Sequence, residues 1–565
     1  MKKTLLVAAL AASFYHGNVA AERGTDGQLK ILYWQAVSIL NPFLSSGTKD
    51  VEAASLVIEP LAKYDEKGNM VANLVDEIPT VENGGVSEDL KSITWKLSDG
   101  LLWSDGTKVT SADVAFTAAY CMHPEGGCAH VSNFTDVESV DEIDESTVKV
   151  TFSVAKPFPY GPFVGSQSPI IQKAQFESCM GAKAPECTEE NFGPVGTGPF
   201  VVTEFKANDV VAYSVNENYR DAAKPAFSSV VLKGGGDAAS AARSVLETAE
   251  FDYAWNLQVE PEILTMMAAG GKGKVVSAYG TSVERLMVNM TNPDPALGDK
   301  RGTLEGGMHP FLTDIAVRKA LSLAIDRQTL VDVGYGSAGQ VTCNVLPAPE
   351  IYASTANDAC KVQDIDAANK LLDEAGWAVG GDGVRAKDGV RLSILYQTST
   401  NSVRQATQAL IKQWWAEIGV ETELRNIDGG VFFGGDQSSP DTFQKFFADI
   451  EMYTNNFDGT DPEKYMARWI CDDIPSPANQ WLGSNMPRYC NPEYDALVAK
   501  MGTTAKLEDR AALAKQLNDM LMQDVAIIPL IHRGGVSAHA MTLEGVLMND
   551  WDSELWNIAD WKRAK

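Results

Sequence analysis

The chain has 565 residues, and a single hydrophobic core stops growing at roughly 250–300, so several packed units are required. Its 75 acidic residues against 47 basic ones give a formal charge of −28, which argues against nucleic acid and anionic membrane surfaces as partners. The charge does not identify a ligand, because an acidic surface is also a common route to solubility.

In chain order, Lys2 and Lys3 precede an apolar run from Leu5 to Phe14, and Val19-Ala20-Ala21 supplies small residues ahead of Glu22. This is the pattern of a secretory signal over 1–21. The run is shorter than the roughly 20 residues that span a bilayer. No cysteine stands near the cleavage site to take a lipid. A soluble, periplasmic mature chain is expected, not lipid-anchored.

Residues 28–34 read as a strand and 50–61 carry helical apolar spacing, with a hairpin turn at 65–69. A strand over 92–97 leads to the Ser104-Asp105-Gly106-Thr107 turn, and Ser111 is the expected cap of a helix over 112–122. Residues 147–154 form another strand, and 199–233 read as strand, turn, strand. Helices are expected at 238–249, 313–325, 364–375, 402–417 and 508–522, with strands at 274–277, 285–290, 391–396 and 420–425 between them. The alternation makes this an α/β protein with parallel and antiparallel strands. No repeat or long linker separates the units, so they are expected to interweave.

All eight cysteines follow the signal: Cys121, Cys128, Cys179, Cys187, Cys343, Cys360, Cys471 and Cys490. An even count in an exported chain points to disulfides. Sequence alone leaves the connectivity open, and pairing of neighbours is the expectation. Each such bridge is worth roughly 2–3 kcal/mol in the chain-entropy model. No CxxC or HxxxH spacing suggests zinc, and no cofactor is expected. A secreted hydrolase would need a nucleophile and base, but the chain has no GxSxG elbow and no HExxH; an enzyme is not expected.

Six stretches, in order, resemble one family. They are AASLVIEPLAKYDEKGNMVANLVDEIP (53–79), WKLSDGLLWSDGTKVTSADVAFT (95–117), PVGTGPFVVTEF with YSVNENYR (194–220), FLTDIAVRKALSLAIDRQTLV (311–331), AANKLLDEAGW (367–377) and CNPEYDALV (490–498). They resemble the solute-binding proteins of the peptide/nickel/opine class of ATP-binding-cassette importers, extracellular solute-binding family 5. The resemblance implies a two-lobed periplasmic-binding-protein fold with an extra third domain and discontinuous, interwoven domains. Lobe I would take 22–62, 199–292 and 534–565, the extra domain 63–198, and lobe II 293–533. It also implies capture of a short peptide by a monomeric receptor whose lobes close by a hinge, and delivery to an inner-membrane permease and ATPase complex.

The segment MYTNNFDGTDPEKY (452–465) resembles the loop in which this family places a carboxylate against a peptide's α-ammonium. That residue would be Asp458, four positions before Pro462; the stretch Asn455-Asn456-Phe457 is longer than the usual spacing, so Asn456 is the alternative. A fixed carboxylate suits an ammonium leaving water. Arg404 stands near the family's arginine, whose planar fork suits a terminal carboxylate. Trp34, Gln35, Tyr453, Trp481, Asn485 and Asn289 complete the expected lining, while Trp95, Trp103, Trp414 and Trp415 fit core faces. A peptide's main chain would pair as an added strand. Within the binding class, an oligosaccharide would use the tryptophans, an opine or nickel chelate is a further alternative, and nickel would call on histidine. His123, His130, His309, His532 and His539 all fall outside the segments assigned to the pocket.

Overall fold

The structure, a computed structural model, describes residues 23–564 except Asp458 and Ala505. The expected signal at 1–21 lies outside the described residues, as does Asp458.

Two mixed sheets carry the fold. The first has seven strands in the order Gly273–Ala278, Gly535–Ala540, Tyr253–Trp255, Gln28–Tyr33, Ser229–Gly234, Val210–Val215 and Phe200–Lys206. Gln28–Tyr33 runs parallel to both neighbours and turns Leu29, Ile31 and Tyr33 inward, as its alternation predicts. The second has six strands, in the order Gly339–Val341, Ile527–Arg533, Val283–Val288, Ile450–Asn455, Ser393–Ser399 and Glu421–Ile427. Every residue of Val283–Val288 is buried, because elements cover both faces of this inner strand.

The expected helices form, joined by Arg327–Gly334 and Pro492–Gly502, and the side chains of Asp237, Asp314, Asp326, Asp364, Asn401 and Asn491 each accept an N–H of the first turn they cap. One cap shifts. Helix Ser111–Cys121 is closed by a Thr110–Asp113 capping box, while Ser111 Oγ donates to the Asp144 carbonyl. Trp95, Trp103 and Trp415 lie in the core as expected, with Trp414 half-buried against it.

Segment 63–198 adds a small antiparallel sheet, Ser92–Lys96, Thr147–Phe152 and Val137–Glu142, beside helix Ser111–Cys121. Its apolar residues share one core with the first sheet, which joins Leu29 and Ile31 to Trp95, Trp103 and Val150. The PVGTGPF stretch makes this join. A Cβ on Gly196 would fall 1.8 Å from the Val57 carbonyl oxygen, and one on Gly198 2.6 Å from that of Leu56, so only glycine allows the approach. Between them Thr197 Oγ1 donates to Glu59 at 2.9 Å, and Arg220 grips both oxygens of Glu59 at 2.6 and 2.9 Å. The four disulfides are Cys121–Cys128, Cys179–Cys187, Cys343–Cys360 and Cys471–Cys490, the neighbour pairing expected from sequence.

The chain passes between the sheets at two adjacent places, 279–282 and Gly534. Arg533 N donates to the Ser282 carbonyl at 3.0 Å, tying the crossings together. A Cβ at Gly280 would meet the Asp550 carbonyl oxygen at 2.1 Å, so the C-terminal loop presses directly on one crossing. The resemblance draws a boundary at 292; the chain changes sheet ahead of it, since Val283–Val288 pairs only within the second sheet.

Candidate functional site

A cavity of about 1220 Å³, counting its open mouth, lies where the two sheets and their crossings meet. The first sheet's side supplies Gln35 and Trp255 at strand ends, Glu52 from helix Thr48–Ala54, and loop residues Asn549, Asp550, Asp552, Ser553 and Glu554. The second sheet's side supplies Tyr453 to Asn456 at the end of Ile450–Asn455, with Arg404, Phe433 and Phe443. His130 and Gln167 close a third side, and Ser282 and Arg533 of the crossings also reach it.

On the second sheet's side the anchor is Glu284. Its carboxylate accepts from Arg404 Nε at 2.9 Å, Tyr335 OH at 3.0 Å, Gln258 Nε2 at 3.3 Å and Thr454 Oγ1 at 2.5 Å. Arg533 Nη1 lies 3.9 Å away. Burial pushes the Glu284 carboxyl up, but Arg404 and Arg533 outweigh it and hold the group below its ordinary range. Arg404 spends a further nitrogen on Ser399 Oγ at 2.8 Å. The free carboxylate receptor expected of Arg404 is thus corrected: it reaches the cavity wall with its fork turned onto Glu284. The ring of Tyr453 meets Phe443 edge-on, with centroids 5.1 Å apart, and its hydroxyl has no hydrogen-bond partner. Arg533 Nε has none either. Among the described residues no group meets either atom, and buried polar atoms in such a state each cost about 1–3 kcal/mol.

The first sheet's side is acidic. Glu52 accepts from Tyr33 OH at 2.6 Å, and Glu554 from Tyr253 OH at 2.5 Å and Ser537 Oγ at 2.6 Å. Burial, then the neighbouring Glu554, lifts the Glu52 carboxyl well above its ordinary range; burial likewise raises Glu554, and pushes Asp550 up to about 7. Trp255 lies flat on Tyr33, centroids 4.6 Å apart.

His130, left outside the pocket by sequence, stands in its wall, two residues past the Cys121–Cys128 bridge that turns the chain. Its Nε2 lies 3.2 Å from the Ser45 carbonyl. Burial, then the Arg468 charge, pushes this imidazole down to about 3. The folded chain therefore resists a proton that the unfolded chain takes at about 6.5. Stability is full above pH 6.5 and falls toward pH 3, at up to about 1.4 kcal/mol per pH unit. In urea titrations, His130→Gln keeps a donor for Ser45, and the variant is expected to lose less stability than the wild type between pH 7 and pH 4.5. Equal losses would remove His130 from that slope.

Of the residues singled out from sequence, Gln35, Tyr453, Asn455, Asn456 and Arg404 line the cavity. Trp34, Trp481, Asn485 and Asn289 do not, each for a visible reason. Trp34 Nε1 donates to the Asn256 carbonyl, and its ring packs with Ala241 and Leu264 in a small core. Trp481 stands edge-on to Phe447, centroids 5.7 Å apart. Asn485 is fully buried and donates to the carbonyls of Ile470 and Tyr489. Asn289 likewise holds the Phe446 and Ala448 carbonyls. Glu52, Trp255, Arg533, Asp550 and Glu554 were not anticipated; 549–554 is irregular loop, without periodicity to betray which way a side chain faces.

Residues 73–478 match the family described as bacterial extracellular solute-binding proteins, family 5. Protein XP55 of Streptomyces lividans is 27% identical over 370 residues, which cover 65% of this chain and 60% of that protein. Di/tripeptide-binding protein 1 of Pseudomonas aeruginosa is 24% identical over 522 residues, 86% of this chain and 85% of that one. The oligopeptide-binding protein AppA of Bacillus subtilis, solved with a nonapeptide, superposes with a TM-score of 0.82 at 21% identity, covering 96% of this chain and 100% of that one. The fold is thus the two-lobed α/β architecture of periplasmic binding proteins. Among the described residues no helix is long and apolar enough to cross a membrane.

Proposed function

Because this chain belongs to the bacterial extracellular solute-binding proteins of family 5, we propose that it captures a short peptide between its two sheets and hands it unchanged to an ATP-driven importer. The units are the two sheets with their helices, segment 63–198 riding on the first, and the hinge is the pair of crossings at 279–282 and Gly534. The observation that carries the reading is the cavity at that hinge. Its opposite walls come from different sheets, one rich in carboxyls and carrying Trp255, the other carrying arginines with Phe433 and Tyr453. A peptide offers both charges and flat apolar groups, and only a closed molecule touches both walls at once, so the solute favours closure.

Within this reading Asn455 and Asn456 meet peptide main chain, Asp458 takes the α-ammonium, and Tyr453 OH and Arg533 Nε meet carbonyl or carboxylate oxygens. Export to the periplasm, an inner-membrane permease with its ATPase, and a monomeric state belong to the same proposal.

The test is a thermal-unfolding panel of di- to pentapeptides, with oligosaccharides and nickel–histidine as rival solutes. A peptide present at 100 times its Kd adds about 2.7 kcal/mol to the folded state and raises the unfolding midpoint. Stabilisation by a rival class and by no peptide would overturn the reading. Asp458→Ala is expected to weaken free-amine peptides far more than N-acetylated ones; equal losses would remove Asp458 from the ammonium role.

A further inference from the structure

The carboxyls on the first sheet's side have an unusual standing. Among the described residues no basic group lies within ion-pair distance of Glu52, Asp550 or Glu554, although all three are buried at the cavity wall. Several other buried acids are matched, Asp50 by Lys49, Glu59 by Arg220, Glu284 by Arg404 and Asp461 by Arg510, while Glu451, Asp113 and Asp552 are also buried without an ion pair among the described residues. Glu52, Asp550 and Glu554 share one cavity wall. Arg533, the nearest cation, belongs to the Glu284 group and gives its Nη2 to Asn256 Oδ1 at 2.6 Å. Glu52 and Glu554 accept hydrogen bonds from tyrosine hydroxyls, which bring no positive charge; burial raises both carboxyls, and a cation docked beside them favours their ionised forms.

Asp550 is the exposed end of this arrangement. Its Oδ1 is 3.4 Å from Ser282 Oγ, and its Oδ2 has no hydrogen-bond partner of normal geometry, although the residue is only 8% exposed. The Gly280 backbone also lies against this carboxyl, yet a buried carboxyl with one oxygen unmet is costly unless a partner reaches it. A metal ion is a poor partner. The three carboxyls do not gather within the reach of one ion; among the described residues the one grouping that does is the Cys179–Cys187 bridge with Glu190. A larger cation with several N–H groups fits the spread, and Trp255, one face of which lies on Tyr33, lines the same cavity as an aromatic partner for a planar guanidinium.

Resting on the capture reading above, we infer that the cavity selects peptides with a cationic side chain, an arginine above all, whose guanidinium docks between Trp255 and the carboxyls of Asp550, Glu554 and Glu52. This site lies on the first sheet's side, apart from Asn455 and Asn456 on the other side, so it reads a side chain and leaves the peptide's termini to other groups. Asp550 makes the bidentate contact, while Glu52 and Glu554 supply field at longer range.

The test compares tripeptides of alanine carrying one arginine, at the first, second or third position, with the same peptides carrying citrulline, its uncharged isostere. By calorimetry, the arginine peptide is expected to bind at least tenfold more tightly at one position or more. Asp550→Asn is expected to close that gap, chiefly by weakening the arginine peptide; Glu554→Gln is a second variant should the first not fold. Ratios within twofold at every position, or a gap untouched in both folded variants, would overturn the inference while leaving peptide capture standing. If none of these tripeptides binds, the di- to pentapeptide panel above decides capture, and free arginine against free citrulline decides the cation site: a tenfold preference supports it and parity overturns it.

Discussion

Glu284→Ala is expected to destabilise the protein by about 3–5 kcal/mol, the cost of leaving buried charges without their partner. Removal of this side chain strands Arg404, which is 3% exposed, and takes from Arg533 its nearest carboxylate. Tyr335, Thr454 and Gln258 also lose their acceptor. The damage is not confined to stability, because Glu284 lies on the strand that leaves the crossing at 279–282 and fixes the two arginines at the cavity wall. Peptide affinity is expected to fall with it. Adding Arg404→Met to Glu284→Ala removes the stranded charge, so the double variant recovers part of the loss, which marks the effect as coupling rather than a packing defect. Denaturant midpoints at matched m-values read both results. A loss below about 1 kcal/mol in the single variant would show that the arginines are not held by this carboxylate.

The second large effect concerns Cys471–Cys490, which spans 19 residues and carries Ser484 and Met486 to the cavity. Replacing both cysteines by serine is expected to cost about 3 kcal/mol in the chain-entropy model and to weaken peptide binding as well, because the loop is freed at the wall itself. Cys179–Cys187 spans 8 residues and reaches no part of the cavity, so its double serine variant is expected to cost about 2.5 kcal/mol with affinity unchanged. Equal affinities in the two variants would mean that the 471–490 loop does not shape the site.

Local signals made much of the fold legible. Strand Gln28–Tyr33 alternates, helix Ser402–Glu417 starts at its Asn401 cap, and the disulfides join neighbours in sequence. Ile450–Asn455 and Ile527–Arg533 were not anticipated; a strand covered on both faces has no period of two to read, and Val283–Val288, buried throughout, was expected two residues late, at 285–290. The site divides the same way. Tyr453, Asn455 and Asn456 were readable from the loop that the family pattern marks. Glu52 was hidden on an ordinary helix face, and Asp550 and Glu554 in a C-terminal loop whose place beside the hinge depends on Gly280, some 270 residues earlier, accepting its backbone. Asn289 and Asn485 sit on conspicuous segments yet serve as internal braces for carbonyl groups. Sequence marks a residue type that could bind; only the packing tells whether its hydrogen bonds are already taken.

Small-angle X-ray scattering with and without a peptide from the stabilising panel tests closure most directly. The account predicts a smaller radius of gyration and a shorter maximum dimension in the presence of the peptide, as the two sheets swing together about 279–282 and Gly534. An identical scattering profile at saturating peptide would contradict it.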